Sequence, residues 1–360
     1  MTVLVTGGAG FIGSRVVSAL VAAGHRVRVL DALLPGAHPP DEPPELPAGV
    51  EFRRGDVADP DTVAAALAGV DVVFHQAAMV GRGGEILEAQ RYVTNNNVAT
   101  AVLLTAMTRA GLRRLVLGSS VVIYGDSRYA CPRHGQVRPP RRSRADLEAG
   151  RFEPRCPRCQ TEVTSSPVTE DDPLDPPRNV YAITKLGQEH LVEAWVRETG
   201  GQAVALRYHN VYGPGMPFDS PYSGVAATFR SRVAEGEPPL VYEDGGPRRD
   251  FVHVRDVASA NVAALSWTGS GFRAFNVASG EPRSIGELAA TLAAAAGAPA
   301  PIITGRFRVG DVRHIVASPA RLVAELGWRP AVDFGAGMAE FAAAPMRGEL
   351  GPQIPTGSTR

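Results

Sequence analysis

The stretch Thr6-Gly7-Gly8-Ala9-Gly10-Phe11-Ile12-Gly13 constrains this chain more than any other. It follows a short β-branched run, Thr2–Val5, and opens helical periodicity that continues through Leu20. A strand that turns on glycines directly into a helix leaves the first helical N–H groups, those around Phe11 and Ile12, free to bind an anion such as a pyrophosphate. Gly7, Gly10 and Gly13, spaced G-x-x-G-x-x-G, allow the tight turn and the close backbone approach that a dinucleotide needs. A second strand, Arg26–Leu30, ends at Asp31. A carboxylate there accepts both adenosine ribose hydroxyls and repels a 2′-phosphate, and no arginine follows it, so the pattern predicts NAD rather than NADP. The bland alternative is a glycine turn with no ligand.

The rest of the first half repeats the strand–helix alternation. Strands are expected at Val50–Arg53, Asp71–His75 and Arg114–Gly118, with helices at Asp61–Ala68 and Gly84–Ala110. That order implies a doubly wound parallel sheet covered on both faces, an α/β fold. Residues 32–49 hold six prolines and read as a surface loop. Asp56-Val57 follows the third strand, where a side chain could reach an adenine; alternatively Asp56 is merely solvated and Asp59 caps a helix. Alternation stops between Asp126 and Pro177. It resumes with a helix at Val180–Glu198 and a strand at Ala203–Tyr208, and then loosens. Further helices are expected at Gly224–Glu235, Val254–Trp267, Ser284–Ala296 and Pro319–Leu326. We read residues 1–210 as a nucleotide-binding domain, 211–345 as a smaller substrate domain with segments returning to the main sheet, and 346–360 as a frayed tail.

Composition narrows the chemistry. Basic and acidic residues number 37 each, so a general nucleic-acid binder is excluded. No apolar run reaches the length of a membrane span, and no signal peptide opens the chain, so the expectation is a soluble, cytoplasmic protein. Among those 37 basic residues only Lys185 is a lysine. It closes Tyr181-Ala182-Ile183-Thr184-Lys185, whose i, i+4 spacing puts phenol and ammonium on one helical face. An ammonium beside a phenol favours the phenolate, so Tyr181 is a candidate general acid/base. Ser119-Ser120 ends the fifth strand, at the sheet edge where ligands bind in such folds. Alone, a Tyr-x-x-x-Lys pair is more often a surface contact; together with the glycine turn and the strand-end serine it reads as a catalytic set.

With these motifs the chain resembles the extended short-chain dehydrogenases/reductases, in their nucleotide-sugar epimerase/dehydratase branch. The resemblance rests on TGGAGFIG at 6–13, GDVAD at 55–59, HQAA at 75–78, Asn97-Val98, SSVVIYG at 119–125, YAITK at 181–185, LRYHNVYGPG at 206–215 and RRDFVHVRDVA at 248–258. It implies a Rossmann-type fold, tightly bound NAD and a nucleotide-diphosphate sugar held between two domains. Ser120, Tyr181 and Lys185 match the family's catalytic positions. Gln76, Ala77, Ala78, Met79 and Asn97 match cofactor-lining positions, and Tyr208 and His209 fall near the nicotinamide. Asn210, Arg249 and Arg308 match substrate-binding positions. Related 4,6-dehydratases carry an Asp-Glu pair after the catalytic Ser/Thr, and sugar-acid decarboxylases carry a Glu at the second position, where this chain has Val121 and Val122. Without that second acid/base, oxidation and reduction at one carbon remain, and 4-epimerisation leads. The alternatives are a 4-ketoreductase using external NAD(P)H and a non-catalytic sugar-nucleotide binder. A homodimer through helices 84–110 and 180–199 is implied as well.

The irregular stretch departs from most of the family. It contains Cys131-Pro-Arg-His134 and Cys156-Pro-Arg-Cys159, a pair of knuckles offering four ligands for a closed, structural tetrahedral zinc. So little apolar sequence would otherwise struggle to fold. The alternative is an exposed loop with incidental cysteines. Residues 126–169 carry nine arginines against five acids, which suggests a lid placing cations near the diphosphate; a solvated face or subunit contact is the rival. Members with a comparable Cys-bearing insertion imply a TDP-deoxyhexose substrate such as TDP-L-rhamnose.

Overall fold

The computed structural model describes residues 1–34, 37–38, 44–81, 86–174, 176–218 and 224–348. The strands in chain order are β1 (Thr2–Thr6), β2 (Arg26–Asp31), β3 (Glu51–Arg54), β4 (Val72–His75), β5 (Arg114–Ser120), β6 (Arg128–Cys131), β7 (Gly135–Val137), β8 (Thr164–Ser166), β9 (Gln202–Tyr208), β10 (Asn210–Tyr212), β11 (Leu240–Val241), β12 (Arg248–Arg249), β13 (Phe251–His253), β14 (Gly271–Val277), β15 (Arg283–Ser284) and β16 (Ile302–Ile303). Seven of them form one parallel sheet in the order β14-β9-β5-β4-β1-β2-β3. The order reverses beside β1, so the carboxyl ends of β1, β4 and β5 open onto a common crevice, the usual ligand site in such sheets.

The sheet's two faces bury separate apolar clusters, one including Val3, Val5, Leu206 and Phe275, the other Leu4, Leu103, Leu117 and Trp195. The alternation of Val3 and Val5 against Leu4 follows from the two-residue period of a strand covered on both sides. The first helix, α1 (Phe11–Ala22), packs on the first face, and α2 (Pro60–Ala66) packs on the second. Asp59 caps α2 by accepting from the Asp61 amide. A third cluster, with Tyr212, Phe229, Leu288 and Phe341, forms the core of the C-terminal half. From that half β14 returns to the sheet edge.

The helix expected at Gly84–Ala110 is broken. Gly84 and Glu85 lie outside the described residues; beyond them come a 3₁₀ turn (Ile86–Glu88), α3 (Ala89–Tyr92), a π turn (Val93–Val98) and α4 (Ala99–Arg109). A π turn inserts an extra residue and rotates the faces that follow, which a regular 3.6-residue reading cannot register. The irregular stretch 126–177 is likewise more structured than its sequence suggests. It holds a three-stranded sheet, β7-β6-β8, and a short helix, α5 (Arg144–Glu148). The long helix that follows is α6 (Val180–Thr199), capped by Asn179. Of the stretch expected as a frayed tail, Met346 is buried against the C-terminal half and Arg347 is bonded across to Met216 and Phe218, while 349–360 lie outside the described residues. Among the described residues no helix is long and apolar enough to cross a membrane.

Candidate active site and metal centre

The glycine turn is shaped by backbone crowding. At Gly7, in the left-handed region (φ 67°), a Cβ would lie 2.6 Å from the Ala77 nitrogen; at Gly13 it would lie 2.0 Å from the Gly7 carbonyl oxygen. A side chain at either position would force the turn off β4 or off its own helix. Gly10 caps α1 without any side-chain hydrogen bond, and the first turn carries no acid, so the N–H groups at Phe11 and Ile12 face the crevice uncapped. Asp31 lies beside this turn, 8% exposed, its carboxylate accepting from the amides of Ala9 (3.0 Å) and Leu33 (2.9 Å). The same groove is floored by Gln76–Met79. Gln76 bonds Asn261 and the Tyr208 hydroxyl, and the latter reaches Asn261 too. Asp56 is exposed and accepts from its own turn at Ala58, while Val57 is buried.

The segment Gln76–Met79 is held by Asn96, next to Asn97. Asn96, fully buried, accepts from the Met79 amide and donates to the Met79 carbonyl and the Thr184 hydroxyl. Asn97 donates to the Thr184 carbonyl, and its amide fills the space above Gly187.

Ser120, Tyr181 and Lys185 converge as expected. The Ser120 hydroxyl lies close enough to the Tyr181 phenol to favour its ionised form, and it accepts from the Val122 amide. The electrostatics differ from the sequence reading. Burial pushes the Tyr181 phenol up to about 12, against the opposing effect of Ser120. The Lys185 ammonium donates instead to the Gly118 carbonyl at 2.9 Å, and burial lowers its pKa to about 8 despite the nearby Glu189. In the ligand-free chain desolvation therefore dominates at Tyr181, which rests as a neutral phenol at pH 7.

A buried network supports this set and was missed in the sequence. Glu189, one helical turn beyond Lys185, accepts from Ser119 (2.5 Å) and takes a two-pronged contact from Arg207 at 2.8 and 3.1 Å. Arg207 continues to the Tyr124 hydroxyl, which donates to Asn276. The i, i+4 spacing of Lys185 and Glu189 was a legible signal. Arg347 was also missed. It donates to the Ala9 carbonyl at 2.8 Å, close enough to Asp31 to feel its charge, so the chain's end straps the glycine turn.

Near the far end of the crevice, His209 is buried with neither ring nitrogen bonded, and burial lowers its pKa to about 3. The Asn210 side-chain oxygen is buried and unpartnered too. Arg249 is partly buried and donates to the carbonyls of Arg248, Val312 and Arg313 at 2.7–2.9 Å. These acceptors are all uncharged, and the carboxylates near enough to act on it, Asp311, Asp126 and Glu243, are not bonded to it. Arg308 is exposed and lies over the Tyr242 ring, 5.1 Å from its centroid.

The four knuckle residues meet. Cys131 Sγ lies 3.6 Å from His134 Nδ1 and 3.7 Å from Cys159 Sγ, Cys156 Sγ lies 3.4 Å from His134 Nδ1, and all four ligand atoms fall within 4.8 Å of one another. A tetrahedron with metal–sulfur bonds of about 2.3 Å has edges of about 3.8 Å. The knuckles share one backbone form: each Cys-Pro-Arg-ligand run ends on a left-handed residue, Gly135 (φ 64°) and Gln160 (φ 58°). Around them only Tyr129, Cys131, Cys156 and Val163 form a buried cluster. The cations expected to line a lid are largely paired elsewhere: Arg128 with Asp172, Arg142 with Glu243, Arg144 with Glu148, Arg151 with Asp146 and Arg155 with Glu162.

Comparison with known proteins fits this geometry. The model of the NAD dependent epimerase/dehydratase family matches residues 3–145 and 157–278. The chain is 36% identical over 344 residues to the dTDP-L-rhamnose 4-epimerase of Burkholderia thailandensis, covering 94% of this chain and 93% of that one. It is 31% identical to the UDP-glucose 4-epimerase of Streptomyces lividans, covering 91% of each chain. Among solved structures, the UDP-glucose 4-epimerase of Thermus thermophilus in complex with NAD superposes with a TM-score of 0.75 at 32% identity, covering 95% of this chain and 98% of that one.

Proposed function

The chain belongs to the NAD-dependent epimerase/dehydratase family of extended short-chain dehydrogenases/reductases, and from that premise we propose that it is an NAD-dependent nucleotide-sugar 4-epimerase whose substrate is a TDP-deoxyhexose such as TDP-L-rhamnose. One observation carries the choice of reaction. The Ser120 hydroxyl sits beside the Tyr181 phenol at the crevice, and the turn after Ser120 presents Val121 and Val122 instead of a second acid/base. Such a site can move one proton at one carbon and has no group there to drive elimination of water.

The residues fit a dinucleotide. The bare N-terminus of α1 suits its pyrophosphate and Asp31 its adenosine ribose, while Gln76–Met79 and Tyr208 line the groove beyond. When bound, NAD supplies a hydride acceptor and, in its oxidised form, a positive charge. Tyr181 takes the proton of the C4 hydroxyl and later returns it. Ser120 bridges the same oxygen. Lys185 holds ribose hydroxyls with the donors it does not spend on Gly118. Arg249 and Arg308 bind the diphosphate, with Asn210 beside it. Because Val121 and Val122 make no polar claim on the sugar, the 4-keto sugar can turn over between the two transfers. A panel of TDP-, UDP- and GDP-sugars with products resolved by NMR tests the reading: C4 epimers without added nicotinamide support it, and no epimer from any sugar refutes it.

The Arg347 strap is part of the retention of NAD. Arg347→Ala is expected to raise the rate of dinucleotide loss at least about tenfold, as one charge-assisted contact is worth roughly 1.5–3 kcal/mol, or that factor and more; NAD remaining after repeated gel filtration measures it. The insertion's four-ligand cluster is read as a structural zinc site, supported by its closed set of ligands. The chain is also read as a homodimer. Ile86, Leu87, Val98 and Ile183 are 77, 88, 45 and 54% exposed along the segments expected to pair. Sedimentation should give twice the chain mass, and Val98→Asp with Ile183→Asp should give the monomer.

A further inference from the structure

We propose that the metal-knuckle insertion is a positioning element for substrate: through Glu153 it fixes the segment 312–316 that holds the diphosphate-binding Arg249. The proposal rests on the reading of Arg249 given above. Among the described residues Arg249 has no carboxylate bonded to orient it, so its direction is set by main-chain carbonyls, two of which belong to Val312 and Arg313. Whatever fixes residues 312–314 fixes the guanidinium.

That segment is clamped from the insertion side. Arg313 is 2% exposed and meets three carboxylates, Glu153, Glu243 and Asp244. Glu153 takes both Nε (2.9 Å) and Nη2 (2.5 Å) of Arg313 on one oxygen and faces His314 Nε2 at 2.9 Å with the other. The second nitrogen of His314 accepts from the Arg248 amide at 3.1 Å, and the Ile315 amide donates to the Arg248 carbonyl. The path from Glu153 to Arg249 is therefore two side chains and a strand contact. A second insertion residue, Arg142, bonds Glu243 and the Asp311 carbonyl at 2.8 Å each. At the base of the insertion the Ser127 hydroxyl accepts from the Val316 amide.

The knuckle in turn fixes Glu153, which lies three residues before Cys156. The Pro154 carbonyl accepts from the Val163 amide, Arg155 bridges Glu162, and the Cys156 amide donates to the Thr161 carbonyl. Burial opposes ionisation of Glu153, yet bonds from His314 and Arg313 hold its carboxyl below the ordinary range, as expected of a carboxylate that acts by charge. The insertion thus supplies an anion that organises a cation-bearing strand, the reverse of a lid that supplies cations.

The test compares Glu153→Gln with Arg249→Ala in the NAD-loaded full chain. Calorimetric binding of TDP and of UDP is the first readout, and kcat against KM for the active sugar nucleotide is the second. Glu153→Gln should weaken nucleoside diphosphate binding and raise KM about tenfold, with kcat within about twofold and NAD still bound; a merely structural loss would lower kcat and NAD content together. The double variant should bind no more weakly than Arg249→Ala alone, because the two act on one contact. Unchanged binding in Glu153→Gln while Arg249→Ala weakens it overturns the proposal. If Arg249→Ala itself binds both nucleotides as tightly as the parent, the diphosphate reading fails and the proposal with it. Should Glu153→Gln not fold, Glu153→Asp, which keeps the charge but shortens its reach to Arg313 and His314, must raise KM in the same direction, and an unchanged KM there overturns the proposal.

Discussion

Tyr181→Phe is expected to abolish epimerisation, lowering kcat by roughly 10²–10⁴-fold, the range that a positioned acid/base contributes. NAD content and melting temperature should stay close to the parent. The substitution deletes one hydroxyl and leaves the ring against Tyr92. The pair of outcomes matters because Tyr181 sits in the same pocket as the cofactor groove. Had its role been packing or dinucleotide binding, NAD would be lost with activity. The resting phenol near pKa 12 sharpens the expectation: in the free chain Tyr181 is protonated at every ordinary pH, so base strength must come from charge brought in with ligands. Spectroscopic titration of the NAD-loaded protein should then place the phenol lower than in the ligand-free chain, and turnover in Tyr181→Phe comparable to the parent would remove Tyr181 from the mechanism.

Removing the metal is the second large effect. One zinc per chain is expected on elemental analysis, and chelation or Cys156→Ser should unfold the insertion while the seven-stranded sheet stays intact. The apolar cluster around the knuckles is only a few side chains, too little to offset the chain entropy of some fifty residues at about 1–2 kcal/mol each. The insertion carries arginines at 133, 138, 141, 144, 151, 155 and 158, so trypsin reports its opening directly. Cleavage between 133 and 158 should accelerate at least about tenfold without metal, since local opening controls proteolysis. Metal-free protein as resistant as the loaded form would mean that the protein contacts of Glu153, Arg142 and Ser127 suffice to hold the insertion.

Much of the site was legible because its constraints are local. The glycine turn, Asp31, and the Tyr181–Lys185 helix pair are each set by residues within one strand–turn–helix or one helical turn, so spacing alone exposes them. The two knuckles were legible for the same reason. What escaped depends on contacts distant in sequence. Arg347 reaches the glycine turn from 338 residues away, and Glu153 reaches Arg313 across 160 residues. No periodicity announces either. At Tyr181 spacing predicts that an ammonium is near, but not that it donates to the Gly118 carbonyl or that burial pushes the phenol up in the ligand-free chain. The insertion's basic excess suggested a cationic lid; spacing could not show that five of its arginines pair with acids.

The central claim, reversible redox chemistry at a single carbon, is tested most directly with a nucleotide sugar deuterated at C4. TDP-L-rhamnose so labelled, incubated with the purified protein and no added nicotinamide, should equilibrate with its C4 epimer while the deuterium stays at C4 in both products, because the hydrogen leaves and returns within one site. Loss of deuterium to solvent, or conversion only with stoichiometric external NAD(P)H, would contradict the account.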